Sequence, residues 1–216
     1  DWSANGTVLS GDIGGDDATD SRGIVVDTSD IAGSNAYRVI TADTVSSVVL
    51  NGLVITAGQA SVYGGGMYAK GCNPELTNVI FIGNWAGQFG GGLVASWSFT
   101  VLANVVFSNN DAGNYGGGMY NDYAEPSLLN VTFSGNSATN GGGIYNAYSS
   151  PTLKNVVMWG DTAAGGPEIY DHMDSFPTVT YSDIALGYPG VGNLSVDPLF
   201  ADAANGDVHL PSSSPA

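Results

Sequence analysis

The sequence predicts an all-β protein folded as a parallel β-helix, a solenoid with coils of about 25–26 residues. Three observations predict it: a recurring hexapeptide, a glycine triplet after each copy, and short extended segments without helical periodicity. The hexapeptide reads Leu, any residue, Asn, Val, any residue, Phe. Its leading positions lie 26, 26, 26, 25 and 26 residues apart, at Leu50, Leu76, Leu102, Leu128, Leu153 and Val179. A fixed period in this range is typical of a solenoid, in which each unit buries its apolar face against its neighbours.

Each unit contains about three short extended pieces separated by bends. The first is the hexapeptide, as in Leu76 to Phe81, which is rich in β-branched and aromatic residues and too short for a helix. A polar corner follows, as at Gly83-Asn84, and then the glycine triplet. The triplets are Gly64 to Gly66, Gly90 to Gly92, Gly116 to Gly118, Gly141 to Gly143 and the altered Gly165-Gly166-Pro167. A second strand is predicted to begin after each triplet, at Met67, Leu93, Met119, Ile144 and Ile169.

Stacking the coils at the spacing of about 4.8 Å between strands places equivalent residues directly above one another. Two columns are then predicted to be asparagine ladders, because Asn tolerates the backbone of bends and its amide can donate to and accept from the next coil. The columns are Asn78, Asn104, Asn130 and Asn155, and Asn84, Asn110, Asn136 and Asp161.

The repeat runs through most of the chain and predicts a single domain over residues 1–216. Residues 1–47 are expected to form irregular first coils, residues 48–179 the regular coils, and residues 180–216 a terminal coil. Cys72 is the only cysteine, so the stability must come from stacking and not from an internal disulfide.

The composition excludes several classes of partner. There are 4 Lys plus Arg against 20 Asp plus Glu, which gives a formal net charge of −16. Almost nothing can neutralise phosphates, so we expect neither nucleic-acid binding nor attraction to anionic membranes. No stretch approaches the ~20 apolar residues of a membrane span, so no membrane insertion is expected. The surface must be covered largely by Asn, Ser, Thr, Gly and Tyr, which favours secretion or surface display.

The segments Thr77 to Ala86 and Leu129 to Ala138, each followed by three glycines, resemble the right-handed parallel β-helix repeats of polymorphic outer-membrane proteins and related bacterial surface adhesins. The opening Thr7 to Ile13 and the closing Asp197 to Phe200 are similar to the same group. The resemblance implies a right-handed coil, export to the surface of a bacterium, and adhesion in several members. Relatives usually run on past Ser-Pro-Ala, so the resemblance suggests a fragment or a mature form whose open ends meet other copies.

Enzymatic activity is disfavoured. A polysaccharide lyase needs a cation or base beside an acidic sugar, and a glycosidase needs two carboxyl groups at a defined separation. No aligned pair of such residues occurs on neighbouring coils. If the protein is an enzyme, His172 and Asp174 are the candidate catalytic residues. Asp171 falls in the column of Asn121 and Asn146, which favours a structural role for this region.

An acidic loop offers a candidate metal site. Asp12, Asp16, Asp17 and Asp20 surround flexible glycines, and several hard oxygens of this kind suit Ca²⁺. The spacing matches no EF-hand loop, and a solvated acidic turn is the alternative. No other cofactor is expected.

Aromatic side chains form the candidate ligand-binding surface. One column is Tyr63, Phe89 and Tyr115, a second is Trp97, Tyr123 and Tyr148, and a third is Tyr68, Tyr120, Tyr145 and Tyr170. Not all three can face inward. Rings repeated at the coil spacing can contact sugar rings or another protein. The alternative is that stacked Tyr only stabilises the coil.

These observations together predict a non-enzymatic, secreted or cell-surface structural or adhesive module. Its expected partners are other copies of itself, stacked end to end into a fibre, or a surface glycan or protein. The alternative is a polysaccharide-binding or carbohydrate-active β-helix protein. Its sugar-binding residues would be the first two aromatic columns, which are Tyr63, Phe89 and Tyr115, and Trp97, Tyr123 and Tyr148.

Overall fold

The computed structural model describes residues 6–216 and shows a parallel β-solenoid of about six turns. The predicted all-β parallel β-helix is therefore confirmed. Residues 1–5, part of the predicted first coils, lie outside the described residues. The strands are β1 (Thr7–Ser10), β2 (Ile40–Asp43), β3 (Val49–Thr56), β4 (Gln59–Ala60), β5 (Met67–Lys70), β6 (Glu75–Ile82), β7 (Trp85–Ala86), β8 (Leu93–Ser96), β9 (Val101–Ser108), β10 (Asp111–Tyr115), β11 (Met119–Asp122), β12 (Ser127–Ser134), β13 (Ser137–Asn140), β14 (Ile144–Ala147), β15 (Thr152–Lys154), β16 (Val157–Trp159), β17 (Ile169–His172), β18 (Thr178–Thr180) and β19 (Asp183–Ile184).

The strands form three parallel sheets that run along the solenoid. The nine-stranded sheet has the order β1-β3-β6-β9-β12-β15-β18, with β16 beside β12 and β19 beside β16. The four-stranded sheet is β4-β7-β10-β13, and the six-stranded sheet is β2-β5-β8-β11-β14-β17. Leu76 pairs with Leu102 and Leu102 with Leu128, so the repeat positions stack in register. All five strands predicted to follow the glycine triplets begin at the predicted residues.

The core is a set of columns of identical or similar apolar side chains between the sheets. Phe81, Phe107 and Phe133 are fully buried, and their rings stack with centroid distances of 4.9 and 4.7 Å. Columns of leucine from the nine-stranded sheet and of methionine, leucine and isoleucine from the six-stranded sheet complete the interior. Because every buried side chain meets its own counterpart, one packing solution repeats from coil to coil.

A buried asparagine ladder closes the corner between the nine-stranded and four-stranded sheets. The Nδ2 of Asn84 donates to Asn110 Oδ1 at 2.9 Å, and that of Asn110 donates to Asn136 Oδ1 at 3.0 Å. The same amide groups donate to carbonyl oxygens of the preceding coil, as Asn110 does to Phe81 at 2.9 Å. The ladder therefore satisfies side-chain and backbone groups that have no access to water, which confirms the predicted asparagine ladder.

The ends of the chain depart from the repeat. Between β1 and β2 the backbone is irregular, with a short 3-10 helix at Thr28–Asp30. After β19 the chain forms a loop in which Leu194 pairs with Asp183. It then contacts the flank of the solenoid, where the Nδ2 of Asn109 donates to the carbonyl oxygen of Ala204 at 3.2 Å. A second 3-10 helix, Ala203–Asn205, lies in this segment. No helix within residues 6–216 is long and apolar enough to span a membrane.

Candidate binding surface

The six-stranded sheet turns one aromatic column outward. Alternation along β11 points Met119 and Asn121 into the core and Tyr120 away from it, and β14 and β17 place Tyr145 and Tyr170 in the same way. The Tyr120 and Tyr145 rings lie 5.5 Å apart between centroids, and the Tyr145 and Tyr170 rings lie 5.2 Å apart. Tyr68 occupies this column in β5, separated from Tyr120 by Val94.

The column of Tyr63, Phe89 and Tyr115 packs beside this outward column. Phe89 stacks on Tyr63 at 4.9 Å and on Tyr115 at 5.5 Å. Phe89 also meets Tyr120 at 4.9 Å, and Tyr115 meets Tyr145 at 4.7 Å, both with tilted rings. The first glycine of each of the four complete triplets has a left-handed backbone next to this layer: Gly64 has φ +64°, and a Cβ there would lie 2.5 Å from the carbonyl oxygen of Met67. The two columns form one half-buried aromatic layer.

Burial in this layer changes the acidity of its tyrosines. Desolvation, followed by the nearby Tyr115 and Tyr170, raises the pKa of Tyr145 to about 12. Desolvation, followed by Asp122 and neighbouring tyrosines, also raises the pKa of Tyr120 strongly. These phenols are therefore neutral donors at every physiological pH.

The column of Trp97, Tyr123 and Tyr148, here named the corner ladder, is much more open. It lies where the chain leaves the six-stranded sheet, and its residues have exposed fractions of 61 %, 45 % and 40 %. The rings stack almost parallel, with centroid distances of 4.7 and 4.6 Å and interplanar angles of 9° and 11°. All three have a left-handed backbone, with φ near +50°. The unusual backbone points the large side chains out of the corner.

Ring stacking determines which faces and edges of the corner-ladder rings are accessible to a partner. Each ring covers one face of its neighbour, so Tyr123 presents its edge and hydroxyl to solvent, and both of its faces are occupied. Trp97, at the end of the ladder nearer to the chain's N-terminus, stacks on another ring on one side only. Within the ladder, ring faces without a stacked partner therefore occur at its two ends, on Trp97 and Tyr148, and not on Tyr123.

The two residues predicted for catalysis lie on different elements, one in a strand and one in the turn after it. His172 is half-buried at the end of β17, with its ring 5.9 Å from that of Tyr145 and 6.3 Å from that of Tyr170. Asp174 is exposed in the following turn, with φ +26°. Within residues 6–216 no hydrogen bond or ion pair joins His172 to a carboxylate. Cavities of about 280 and 170 Å³ lie near the C-terminal end of the solenoid, and neither His172 nor Asp174 lines them.

Asp171, next to His172, closes a second buried ladder. The Nδ2 of Asn121 donates to Asn146 Oδ1 and that of Asn146 donates to Asp171 Oδ1, each at 2.8 Å. The hydroxyl of Tyr188 donates to the other carboxylate oxygen at 2.6 Å. The column position inferred for Asp171 from the sequence is therefore the observed one.

A buried pair of carboxyl groups ends the first ladder. Asp161 Oδ1 accepts from the backbone N–H and Nδ2 of Asn136 at 2.7 and 2.8 Å. Asp161 Oδ2 and Glu168 Oε2 are buried and have no donor within residues 6–216. Desolvation, with the adjacent Glu168 as the next cause, raises the pKa of Asp161 well above its ordinary value, and desolvation raises that of Glu168.

The acidic loop brings three of its four predicted ligands together. One carboxylate oxygen each of Asp12, Asp16 and Asp17 lie within 4.8 Å of one another. Asp20 is elsewhere and pairs with Arg22 at 2.7 Å. Protein donors already hold the loop: Gly15 N–H donates to Asp12 at 2.7 Å, and Asn35 Nδ2 donates to Asp17 at 2.6 Å. A Ca²⁺ site at this loop stays a prediction.

Comparison with known proteins identifies the repeat. Residues 130–147, which run from the middle of β12 through β13 to the end of β14, match the family model of the Chlamydia polymorphic membrane protein repeat. These 18 residues are therefore similar to one repeat of that family. No curated protein and no solved structure matched the chain. The matched repeat within a parallel solenoid indicates a β-helix protein associated with the bacterial surface or outer membrane.

Proposed function

We propose that the chain is a non-enzymatic, secreted or cell-surface adhesive module, in which the solenoid is a rigid scaffold and the corner ladder is the contact surface. The observation that carries this proposal is that three stacked aromatic rings remain 40–61 % exposed along one corner. Large aromatic side chains supply most of the energy of protein interfaces when they are covered. The partner is a glycan or protein on a host or neighbouring cell.

The carbohydrate-active alternative has less geometric support. Acid–base catalysis requires two groups held within reach of one bond, and within residues 6–216 no ion pair joins His172 to a carboxylate. The buried pair of Asp161 and Glu168 is shielded from solvent and from any substrate. The hydrogen bonds that Asp161 and Asp171 accept from the asparagine ladders support a structural role for these acids.

The proposal is tested with beads coated with the purified domain and applied to cultured epithelial cells. The variant carries Trp97→Asn, Tyr123→Asn and Tyr148→Asn, because Asn tolerates the left-handed backbone of the corner. Tyr181→Asn is the matched control, since Tyr181 is 59 % exposed and has φ +51° at a different corner. We expect the ladder variant to lose most of the adhesion and the control to keep it. Equal adhesion of the two variants would contradict the proposal.

End-to-end assembly is a separate part of the expected function, and it stays a prediction. Its support is that β17 pairs with β14 on one side and has no strand partner on the other within residues 6–216. An unpaired strand edge can add a strand from another chain. The loop containing Tyr188 and Leu194 covers other parts of the same end. A second copy could therefore pair with the edge of β17 but could not stack on the whole last coil.

A further inference from the structure

The open face of Trp97 borders a gap in the corner ladder. Strand pairing places Lys70 opposite Ser96, so the next residues, Gly71 and Trp97, occupy equivalent positions in adjacent coils. Gly71 has φ +58°, close to the +51° of Trp97, but it has no side chain. If a Cβ were added to Gly71, it would contact the Thr44 side chain at 3.2 Å. Apart from the chain neighbours of Gly71, no other heavy atom lies within 4 Å of that point, so no side chain fills the position next to Trp97 at this level.

The height of this gap equals one coil. Adjacent coils are about 4.8 Å apart, and the rings of the ladder repeat at 4.6–4.7 Å between centroids. A ring-shaped ligand placed at the level of Gly71 would therefore continue the stack of Trp97, Tyr123 and Tyr148. The Thr44 side chain, at the equivalent position one coil further on, limits the gap from the other side.

Polar donors border the gap. Lys70 directly precedes Gly71, is exposed, and forms no ion pair within residues 6–216. The other two basic residues in the first half of the chain are engaged: Arg22 pairs with Asp20, and Arg38 lies against the rings of Tyr37 and Tyr68. Asn73 also lies at this edge, where its Oδ1 accepts from the N–H of Phe99 at 2.9 Å.

We propose that Trp97, Gly71 and Lys70 form a binding site for one pyranose ring of a neutral glycan. A pyranose has an apolar C–H face, which suits the electron-rich face of the indole, and a rim of hydroxyl groups, which suits the donors of Lys70 and Asn73. The net charge of −16 disfavours polyanionic glycans. Phe99, which is 60 % exposed, extends the apolar floor toward the next residue of the glycan. This inference rests on the proposed adhesive function and names its ligand class.

Calorimetric titration with cellotetraose, β-1,4-galactotetraose and chitotetraose tests the site. At least one of the three should bind, and Trp97→Asn should weaken that binding about tenfold or more. Gly71→Asn is the sharper variant, because Asn accepts the left-handed backbone and fills the gap while Trp97 remains. It should weaken binding as much as Trp97→Asn does. Lys70→Gln should weaken binding to a smaller extent, and Tyr181→Asn should have no effect.

Two results would overturn the site. One is that none of the three oligosaccharides binds to the wild-type domain. The other is that Gly71→Asn, with an unchanged circular dichroism spectrum, binds as tightly as the wild type. Binding of a proline-rich peptide in their place would assign the gap to a polypeptide and would also overturn the proposal. If sugar binding fails while the ladder variant still abolishes bead adhesion, the adhesive function stands and only the sugar site is lost.

Discussion

Asp161 breaks the chemical pattern of the column it ends. Asn84, Asn110 and Asn136 each have a donor and an acceptor, whereas Asp161 accepts from Asn136 and brings a second carboxyl group, Glu168, into its environment. A carboxylate buried without a donor is costly, and a proton shared by the pair relieves that cost. We therefore expect the stability of the last coils to depend on pH through this pair.

The pair gives a prediction about stability. Because burial raises both pKa values, the folded state holds protons that the unfolded state has released, so this contribution to stability is present at acid pH and is lost as the pH rises through the folded-state pKa. Asp161→Asn supplies an Nδ2 donor to Glu168 and should raise the free energy of unfolding by about 1–2 kcal/mol at pH 8. At pH 4 the gain should be smaller. Urea unfolding at both pH values measures it.

Asp171→Asn is the matched control, because Asp171 ends the other asparagine ladder but is exposed and accepts from Tyr188. It should not reproduce the gain at pH 8, because Asp171 already accepts from Asn146 and Tyr188. A loss of stability at pH 8 in Asp161→Asn would show that the carboxylate itself is needed there.

The long strands of the nine-stranded sheet bend at an asparagine with a left-handed backbone. Asn78, Asn104 and Asn130 have φ between +53° and +55° within β6, β9 and β12. Their side chains join neighbouring coils, as Asn104 Nδ2 donates to Asn78 Oδ1 at 3.2 Å and Asn130 Nδ2 donates to Asn104 Oδ1 at 3.1 Å. Asn therefore has two roles at this bend: it adopts the left-handed backbone, and its side-chain amide forms hydrogen bonds between coils.

Substitution of Asn104 separates these two roles. Asn104→Gly keeps the left-handed backbone and loses two exposed hydrogen bonds, for an expected loss of about 1 kcal/mol. Asn104→Ala adds the strain of a left-handed Ala, for an expected loss of about 2 kcal/mol or more. Ordinary strands show the opposite order, in which Gly is worse than Ala. Thermal unfolding of both variants measures which is more stable. A higher stability of Asn104→Ala than of Asn104→Gly would contradict the left-handed bend at this position.

The sequence predicted the regular elements well because one short pattern is repeated and each copy repeats the same contacts. It located the strands after the triplets, the buried ladder that begins at Asn84 and the position of Asp171. It could not predict the irregular segment around Ile24 and Val25, which packs on the outside of the coil against Val54 and Ile82, because no repeat governs it.

The aromatic site was only partly predictable. The columns followed from the period, but the sequence could not show that stacking covers the ring faces of Tyr123. The gap at Gly71 had a sequence signal, since Gly71 precedes Trp97 by one period of 26 residues. In the acidic loop the sequence signal was misleading: Asp20 lies close to Asp12 in the sequence, but its carboxylate pairs with Arg22 and is not part of the group formed by Asp12, Asp16 and Asp17.

The whole molecule is a stack in which each coil touches only its neighbours, so stability and surface chemistry both depend on the register between coils. Equivalent buried residues form the apolar columns, and equivalent exposed residues form the corner ladder. A slip of one residue would turn core side chains outward and would break every column at once. The adhesive surface and the sugar site both require this register.

Disulfide trapping within the corner ladder tests the register most directly. In a Cys72→Ala background, Trp97→Cys with Tyr123→Cys places two cysteines on adjacent coils, about 4.8 Å apart between Cα atoms, which a disulfide can bridge. Trp97→Cys with Tyr148→Cys places them two coils apart, at roughly 9.6 Å, which it cannot. Mild oxidation followed by mass spectrometry should show an internal disulfide in the first pair and free thiols in the second. Free thiols in the first pair, or equal cross-linking of both, would contradict the stacked architecture.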